Sequence, residues 1–297
     1  MAVTTAPRTL RVPTSDEAAR SRQIRSVLKY ALLALIGLVA LAPFVLAFLG
    51  TFKTDAEIIA YPPKFLPENW LFSNWAKTWA TDFGAGATFP RWLANTAFIA
   101  VGSAILQVIG CSMAAYAFAR LRFPGKDAVF AFMLTSMMIP GAVTLIPSYV
   151  VMTKIAFVNT YWSLLVPSIV GAGNIFLLTQ FLKAVPRELE EAAFVDGASR
   201  FRIYKDVVLP LARPALLTVF ILQFQGMWNA FLAPLLYLNS PRMWVLNVAI
   251  STFQQQYKAA WNLTLVAAMF NAIPVLILFA FFSRYYIEGI SYSGLKG

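Results

Sequence analysis

The chain has no histidine, a single cysteine and few charges, with Asp, Glu, Lys and Arg making up 12% of its 297 residues. Without histidine, and with Cys111 alone inside an apolar run, neither a His/Cys metal site nor a Cys-His or Ser-His catalytic arrangement can form. An intrachain disulfide is excluded too. Acidic charge is the scarcer sign, 13 residues against 24 basic ones, for a formal net charge of +11. No acid lies inside a long apolar run, which argues against proton coupling, since that chemistry places a carboxylate in the membrane pathway. No G-x-x-x-x-G-K-[ST] run is present with which the chain could bind ATP.

What the chain does have is apolar length. Hydrophobic residues are 59% of the total, more than a soluble fold can hide. A bilayer core roughly 30 Å thick is crossed by about 20 apolar residues in a helix, because backbone groups in lipid must be satisfied within the segment. Six stretches qualify, at 28–50, 92–119, 128–152, 160–182, 214–238 and 262–283, with Lys29 the one charged residue, at an edge. Pro140, Gly141 and Pro147 interrupt the third, which a membrane helix tolerates when neighbours re-satisfy the freed carbonyls. The fold class expected is therefore all-α and polytopic, with six transmembrane helices.

Basic residues in short loops stay on the cytoplasmic side. Starting from an inside N-terminus, 17 of the 24 basic residues fall inside and seven outside, so both termini face the cytoplasm. That placement explains the net charge without nucleic acid, since no loop joins a basic stripe to a reading motif. Residues 1–27 read as a disordered cytoplasmic tail, and the apolar run after them is too long for a cleaved signal. Trp70, Trp75, Trp79 and Trp92 gather at the outer interface, Tyr285 and Tyr286 at the inner one. The outer loop 51–91 is long enough to fold over the extracytoplasmic mouth.

The inner connection 184–213 is far longer than the two to eight residues usual between bundled helices. Pro186, then Glu188, Glu190 and Glu191, fit a helix start with proline in the first turn and acids against the dipole. Ala192 and Ala193 continue a small-residue face. Asp196-Gly197 is a stop signal, and 198–208, apolar at Phe201, Tyr204, Val207 and Val208, reads as a second helix ending before Pro210. Small side chains at Ala192, Ala193, Gly197 and Ala198 would let this helix-turn-helix enter another protein's groove.

The string Glu191-Ala192-Ala193, Gly197, Val207 and Leu209-Pro210 resembles the EAA loop of importer-type ABC permeases. From about Thr51 onward the chain is similar to the MalG-like carbohydrate-importer branch. The strings that carry this are Phe52-Lys53-Thr54 with Glu57, Tyr61-Pro62-Pro63, Ala115 to Arg120, Met138-Ile139-Pro140, Asn159 to Trp162, Trp228-Asn229, Leu238-Asn239-Ser240 and the tail Gly294-Leu295-Lys296-Gly297. The resemblance implies a type I importer permease fold in which 28–50 is an added helix and 87–285 a five-helix core. It implies a coupling loop of Glu188, Glu190, Glu191, Ala192, Ala193, Asp196, Gly197, Ala198, Leu209 and Pro210, and a tail 286–297 whose Gly294, Leu295, Lys296 and Gly297 touch the ATPase pair. The implied partners are a second homologous permease, two copies of an ATP-binding subunit and an extracytoplasmic substrate-binding protein, in lipid of a prokaryotic inner or plasma membrane. ATP and Mg would sit on the ATPase subunits, with no cofactor on this chain. Two departures stand out: Ala230 where the family often has Asp, and Phe194 where the loop is commonly basic.

A sugar passing between helices needs hydrogen-bonding groups and aromatic faces, and polar residues in spans face a cavity or a neighbouring helix. Candidates are Gln225, Trp228 and Asn229, whose spacing puts them on one helix face, with Asn174 and Asn271. Asn95, Gln107, Gln180 and Gln223 are further polar positions. Each reads either as substrate path or as interhelical glue. A glycerol phosphate or other polyol is the alternative cargo. A secondary transporter would want a buried ionisable group or inverted repeats, and a membrane enzyme would want histidine or paired carboxylates.

Overall fold

The computed structural model describes the backbone of residues 15–256 and 260–294 and the side chains of 23–252 and 260–281. Helix α1 spans Ser15–Gly50. It includes residues expected to be disordered, because 15–25 holds Ala, Arg, Glu and Gln and neither Gly nor Pro. Residues 1–14 of that expected tail lie outside the described ones. Only the outer end of α1 is drawn in: a Cβ on Gly50 would sit 2.6 Å from Leu265 Cδ1. Short helices α2 (Asp55–Ile58) and α3 (Ser73–Trp79) then build the outer loop.

The axis of the fold is α4, Phe89–Arg120. Its buried face carries Ala100, Ser103, Ala104, Cys111 and Ala115, small residues at helical spacing that let neighbouring backbones approach, with Gln107 among them. At Gly110 a Cβ would lie 2.3 Å from the Ile169 carbonyl oxygen. The third expected span is two helices, α5 (Lys126–Ser136) and α6 (Gly141–Lys154), meeting at 104°. The break falls at Pro140, which has no N–H and is extended.

The fourth span holds α7 (Trp162–Leu165), a 3-10 turn at Pro167–Ile169, and α8 (Ala172–Ala184). Between turn and α8 the backbone is extended at Val170 and Gly171. Freed backbone groups in a membrane need a partner, and Cys111 supplies it: its sulfur accepts from the Gly171 N–H at 3.4 Å and lies 3.7 Å from the Gly171 oxygen. The lone cysteine is a packing and hydrogen-bonding residue at this break.

Helix α9 (Glu188–Val195) begins after Pro186 rather than containing it, and α10 (Arg200–Ile203) follows. A π turn (Tyr204–Val208) and α11 (Leu209–Leu211) carry the second inner helix through Pro210 instead of ending before it. The π turn gives the reason: Leu209 N–H bonds Tyr204 O, so the wider register takes up the disruption that proline brings. This segment meets α12 (Arg213–Trp228) at 78°.

The fifth expected span, 214–238, stops at Trp228. The Asn229 backbone N–H and side-chain Nδ2 both donate to Gln225 O, at 3.1 and 3.0 Å, and Phe231 leaves helical geometry. Helices α13 (Leu232–Tyr237) and α14 (Leu246–Gln256) follow. Finally α15 runs Trp261–Gly294, past the end of the sixth apolar stretch into the expected tail. Among the described residues four segments, 23–50, 89–120, 162–184 and 261–281, are long and apolar enough to cross a membrane. Counting each bent pair as one span makes six. The described residues hold no strand, only an isolated bridge of Asp82 with Thr88.

Candidate functional site

The inner segment 188–211 is part of the core rather than a loose loop. Ile203, Tyr204 and Val208 are buried with Cys111, Ala115, Tyr116 and Ala119 of α4, Leu178 and Leu182 of α8, and Ala215 and Val219 of α12. Gly197 closes α9 with φ +82, the left-handed conformation that glycine adopts without a Cβ penalty. Ser199 caps the next helix, accepting from Arg202 N–H at 3.3 Å.

The acids divide. Glu188, Glu191 and Asp196 are exposed, whereas Glu190 is turned inward onto Arg120, Nε to Oε1 2.5 Å, with both side chains under 10% exposed. The contact is a charge pair without hydrogen-bond alignment at those two atoms, and Arg120 Nη2 also donates to Val185 O at 2.8 Å. Ser112 and Tyr204 hydroxyls lie 2.7 Å apart, and the Tyr116 and Tyr204 rings are 5.3 Å apart.

The small residues divide as well. Ala192 and Gly197 face out, while Ala193 and Ala198 pack against the core. What projects instead are larger apolar side chains, Leu189, Phe194, Val195 and Phe201, each 48–86% exposed, with the Arg200 guanidinium 4.9 Å over the Phe194 ring. In the sequence Phe201 is only one apolar residue among Tyr204, Val207 and Val208, with nothing to separate the exposed from the buried ones. Sequence reading missed Ser112, Tyr116 and Arg120, although their spacing of four along an apolar helix was a visible signal. Leu209 is half-buried and Pro210 exposed. Gly294 ends α15, and Leu295, Lys296 and Gly297 lie outside the described residues.

At the opposite end Trp92 Nε1 donates to Pro241 O at 2.8 Å, Asn95 Nδ2 to the Arg242 and Trp244 oxygens at 3.0 Å each, and Leu246 N–H to Thr96 Oγ1 at 2.8 Å. Two strings that carried the resemblance meet beside this bracket. Asn159 N–H donates to Tyr237 O at 2.7 Å, and Ser240 N–H donates to Asn159 Oδ1 at 2.9 Å.

The outer loop is packed by aromatic rings onto α1 and α15. Phe52 packs within 5.5 Å of Phe48, Trp70 and Phe72, and Trp75, Trp79 and Phe89 pack on Phe270 of α15. Thr54 and Glu57 form a capping box at α2. The N–H groups of Thr54 and Glu68 donate to the Glu57 carboxylate and hold it below its ordinary value.

The expected substrate-path residues fall into separate pairs, Trp228 with Asn271 and Gln225 with Asn229, while Asn174 is bonded elsewhere. Trp228 is buried against Ala100, Ala104 and Phe224 and donates Nε1 to Asn271 O at 2.9 Å. Gln225 and Asn229 are exposed and bonded to each other, whereas Trp228 is turned into the core; the helix ends between Trp228 and Asn229. Asn174 Nδ2 donates to Gln107 Oε1 at 2.6 Å, joining the fourth span to α4. Asn95 is spent on the outer bracket, Gln223 is half-buried and Gln180 exposed.

Residues 107–289 match the family described as binding-protein-dependent transport system inner membrane component. The arabinooligosaccharides transport system permease protein AraQ of Halalkalibacterium halodurans is 30% identical over 89% of this chain and 94% of that protein. The sn-glycerol-3-phosphate transport system permease protein UgpE of Agrobacterium fabrum is 28% identical over 91% and 97%. In fold, a chain from the crystal structure of a bacterial ABC transporter involved in the import of the acidic polysaccharide alginate superposes with a TM-score of 0.77 at 24% identity, covering 90% of this chain and 98% of that one. The chain belongs to the binding-protein-dependent transport system inner membrane components, multi-pass membrane subunits that serve transport and are not enzymes.

Proposed function

We propose that this chain is one permease half of an ATP-driven importer for a sugar or oligosaccharide in a prokaryotic inner or plasma membrane, working by alternating access. Its partners in this reading are a second homologous permease, two ATP-binding subunits that carry ATP and Mg, and an extracytoplasmic substrate-binding protein. One observation carries it. The segment 188–211 is rooted in the transmembrane core yet projects Leu189, Phe194, Val195 and Phe201 on the basic, cytoplasmic side. An exposed apolar patch rimmed by charge there calls for a protein partner. Closure of the ATPase pair would push on this patch and open the path outward as the binding protein delivers solute. Gln225 and Asn229 are the exposed polar groups of the fifth span for that path, and Gly294 to Gly297 are proposed to reach the ATPase.

The sugar assignment rests on the arabinooligosaccharide relative and on the lack of an intramembrane acid or base. A polyol phosphate is the second reading, favoured by the glycerol-3-phosphate relative. The test is to tag the protein in its host, extract it in mild detergent and identify what co-purifies. An ATPase and a second permease support the proposal, and thermal-shift screening of the accompanying binding protein separates sugar from polyol phosphate. Recovery of the chain alone, where other membrane complexes survive, refutes it.

A further inference from the structure

Three ion pairs occur among the described residues, and two of them, Lys64 with Glu68 and Arg202 with Asp206, are exposed. The third, Arg120 with Glu190, is buried and joins the last residue of α4 to α9 across 70 positions of sequence. A buried pair is a poor source of stability, because desolvation offsets the attraction and apolar residues of like size hold as well. What it supplies is a fixed mutual position. Arg120 stands where a cation suits the helix dipole, and its second contact, to Val185 O, holds the chain just before α9. Ser112, Tyr116 and Arg120 form one stripe down the inner end of α4. They meet Tyr204 and Glu190, one residue from each inner helical stretch.

The segment already has a covalent output, its continuation into α12 at the 78° bend. We propose that Arg120 is a positioning residue that gives it a second one: through Glu190 it makes α9 and α4 move together, so that a push on the inner segment reaches the axis of the fold as well as α12. This rests on the functional reading above.

The test uses the whole transporter in proteoliposomes with its ATPase, second permease and binding protein. The readout is solute imported per ATP hydrolysed. Arg120→Gln is expected to leave co-purification of the ATPase and its basal hydrolysis within twofold of wild type while lowering the ratio at least fivefold. Arg120→Lys, which keeps the charge, should recover at least half of it. Because Arg120→Gln strands a buried carboxylate, the double variant Arg120→Met with Glu190→Gln provides a second arm, with no charge left unpaired. Its ratio is expected to stay low. A ratio restored in the double variant would show that only the stranded charge mattered and would overturn the proposal, as would a wild-type ratio in Arg120→Gln. If the wild-type chain assembles with no ATPase, the functional reading itself fails, an outcome distinct from these.

Discussion

The two ends of α4 are held by different chemistry. At the outer end Trp92, Asn95 and Thr96 bond to backbone groups of 241–246, contacts that do not depend on the side chains of the segment they hold. At the inner end Ser112, Tyr116 and Arg120 meet the side chains of Tyr204 and Glu190, with one backbone contact besides, Arg120 to the Val185 oxygen. Just beyond them Phe194, Val195 and Phe201 are uncovered. The outer end is built as a frame and the inner end as a joint beside exposed apolar side chains, where the proposed ATPase would seat. Each can be broken separately.

The largest effect is expected at the inner end. Gly197 has φ +82 and open space around it, so Gly197→Arg costs only about 1–2 kcal/mol in backbone strain, yet it adds bulk and charge beside the apolar patch. Binding-protein-dependent uptake should fall at least tenfold while membrane insertion stays normal, as judged by uptake against protein level in the membrane. Normal ATP-dependent uptake would separate the patch from coupling.

That glycine was legible from sequence, because Asp196-Gly197 after an acidic helix start is a stop signal with a local cause. So were the apolar runs, whose length alone sets their fate in a bilayer. The inward turn of Glu190 was not. Glu188, Glu190 and Glu191 look alike along the chain, and only the distant Arg120 distinguishes one of them. The early end of the fifth span was hidden for a related reason: Leu232 to Tyr237 is as apolar as the helix before it, and apolarity does not report a turn made by the Asn229 side chain. The burial of Trp228 against Ala100, Ala104 and Phe224 was not legible either, since a buried tryptophan and an exposed one share the same letter and spacing.

On α4 two residues before Ser112, Gly110→Val would set a new Cβ 2.3 Å from the Ile169 carbonyl oxygen. Overpacking of this kind costs about 1–3 kcal/mol. A fall in midpoint temperature of the detergent-solubilised protein is expected, with both ends affected together. At the frame, Asn95→Leu removes two hydrogen bonds and leaves the Arg242 and Trp244 carbonyls unpaired, about 1–3 kcal/mol by the same readout. Recovery of the ATPase in detergent should not change; a loss there would mean the ends are not independent.

The smallest effect concerns the outer cap. Glu57 is held below its ordinary value by the Thr54 and Glu68 N–H groups. A group lowered on folding adds stability above its unfolded pKa and loses it as pH falls through the folded one. Protease nicking of the loop 51–88 should therefore rise only when pH drops below the ordinary carboxylate range. Glu57→Gln should remove that pH dependence.

The most direct test of the central claim is to place a photoreactive side chain at Val195, 86% exposed on the inner segment, and separately at Tyr61, 96% exposed on the outer cap. Both are irradiated in native membranes, and the cross-linked proteins identified. Val195 is expected to label an ATPase subunit and Tyr61 is not. Labelling of an ATPase from neither position, or from Tyr61 instead, would contradict it.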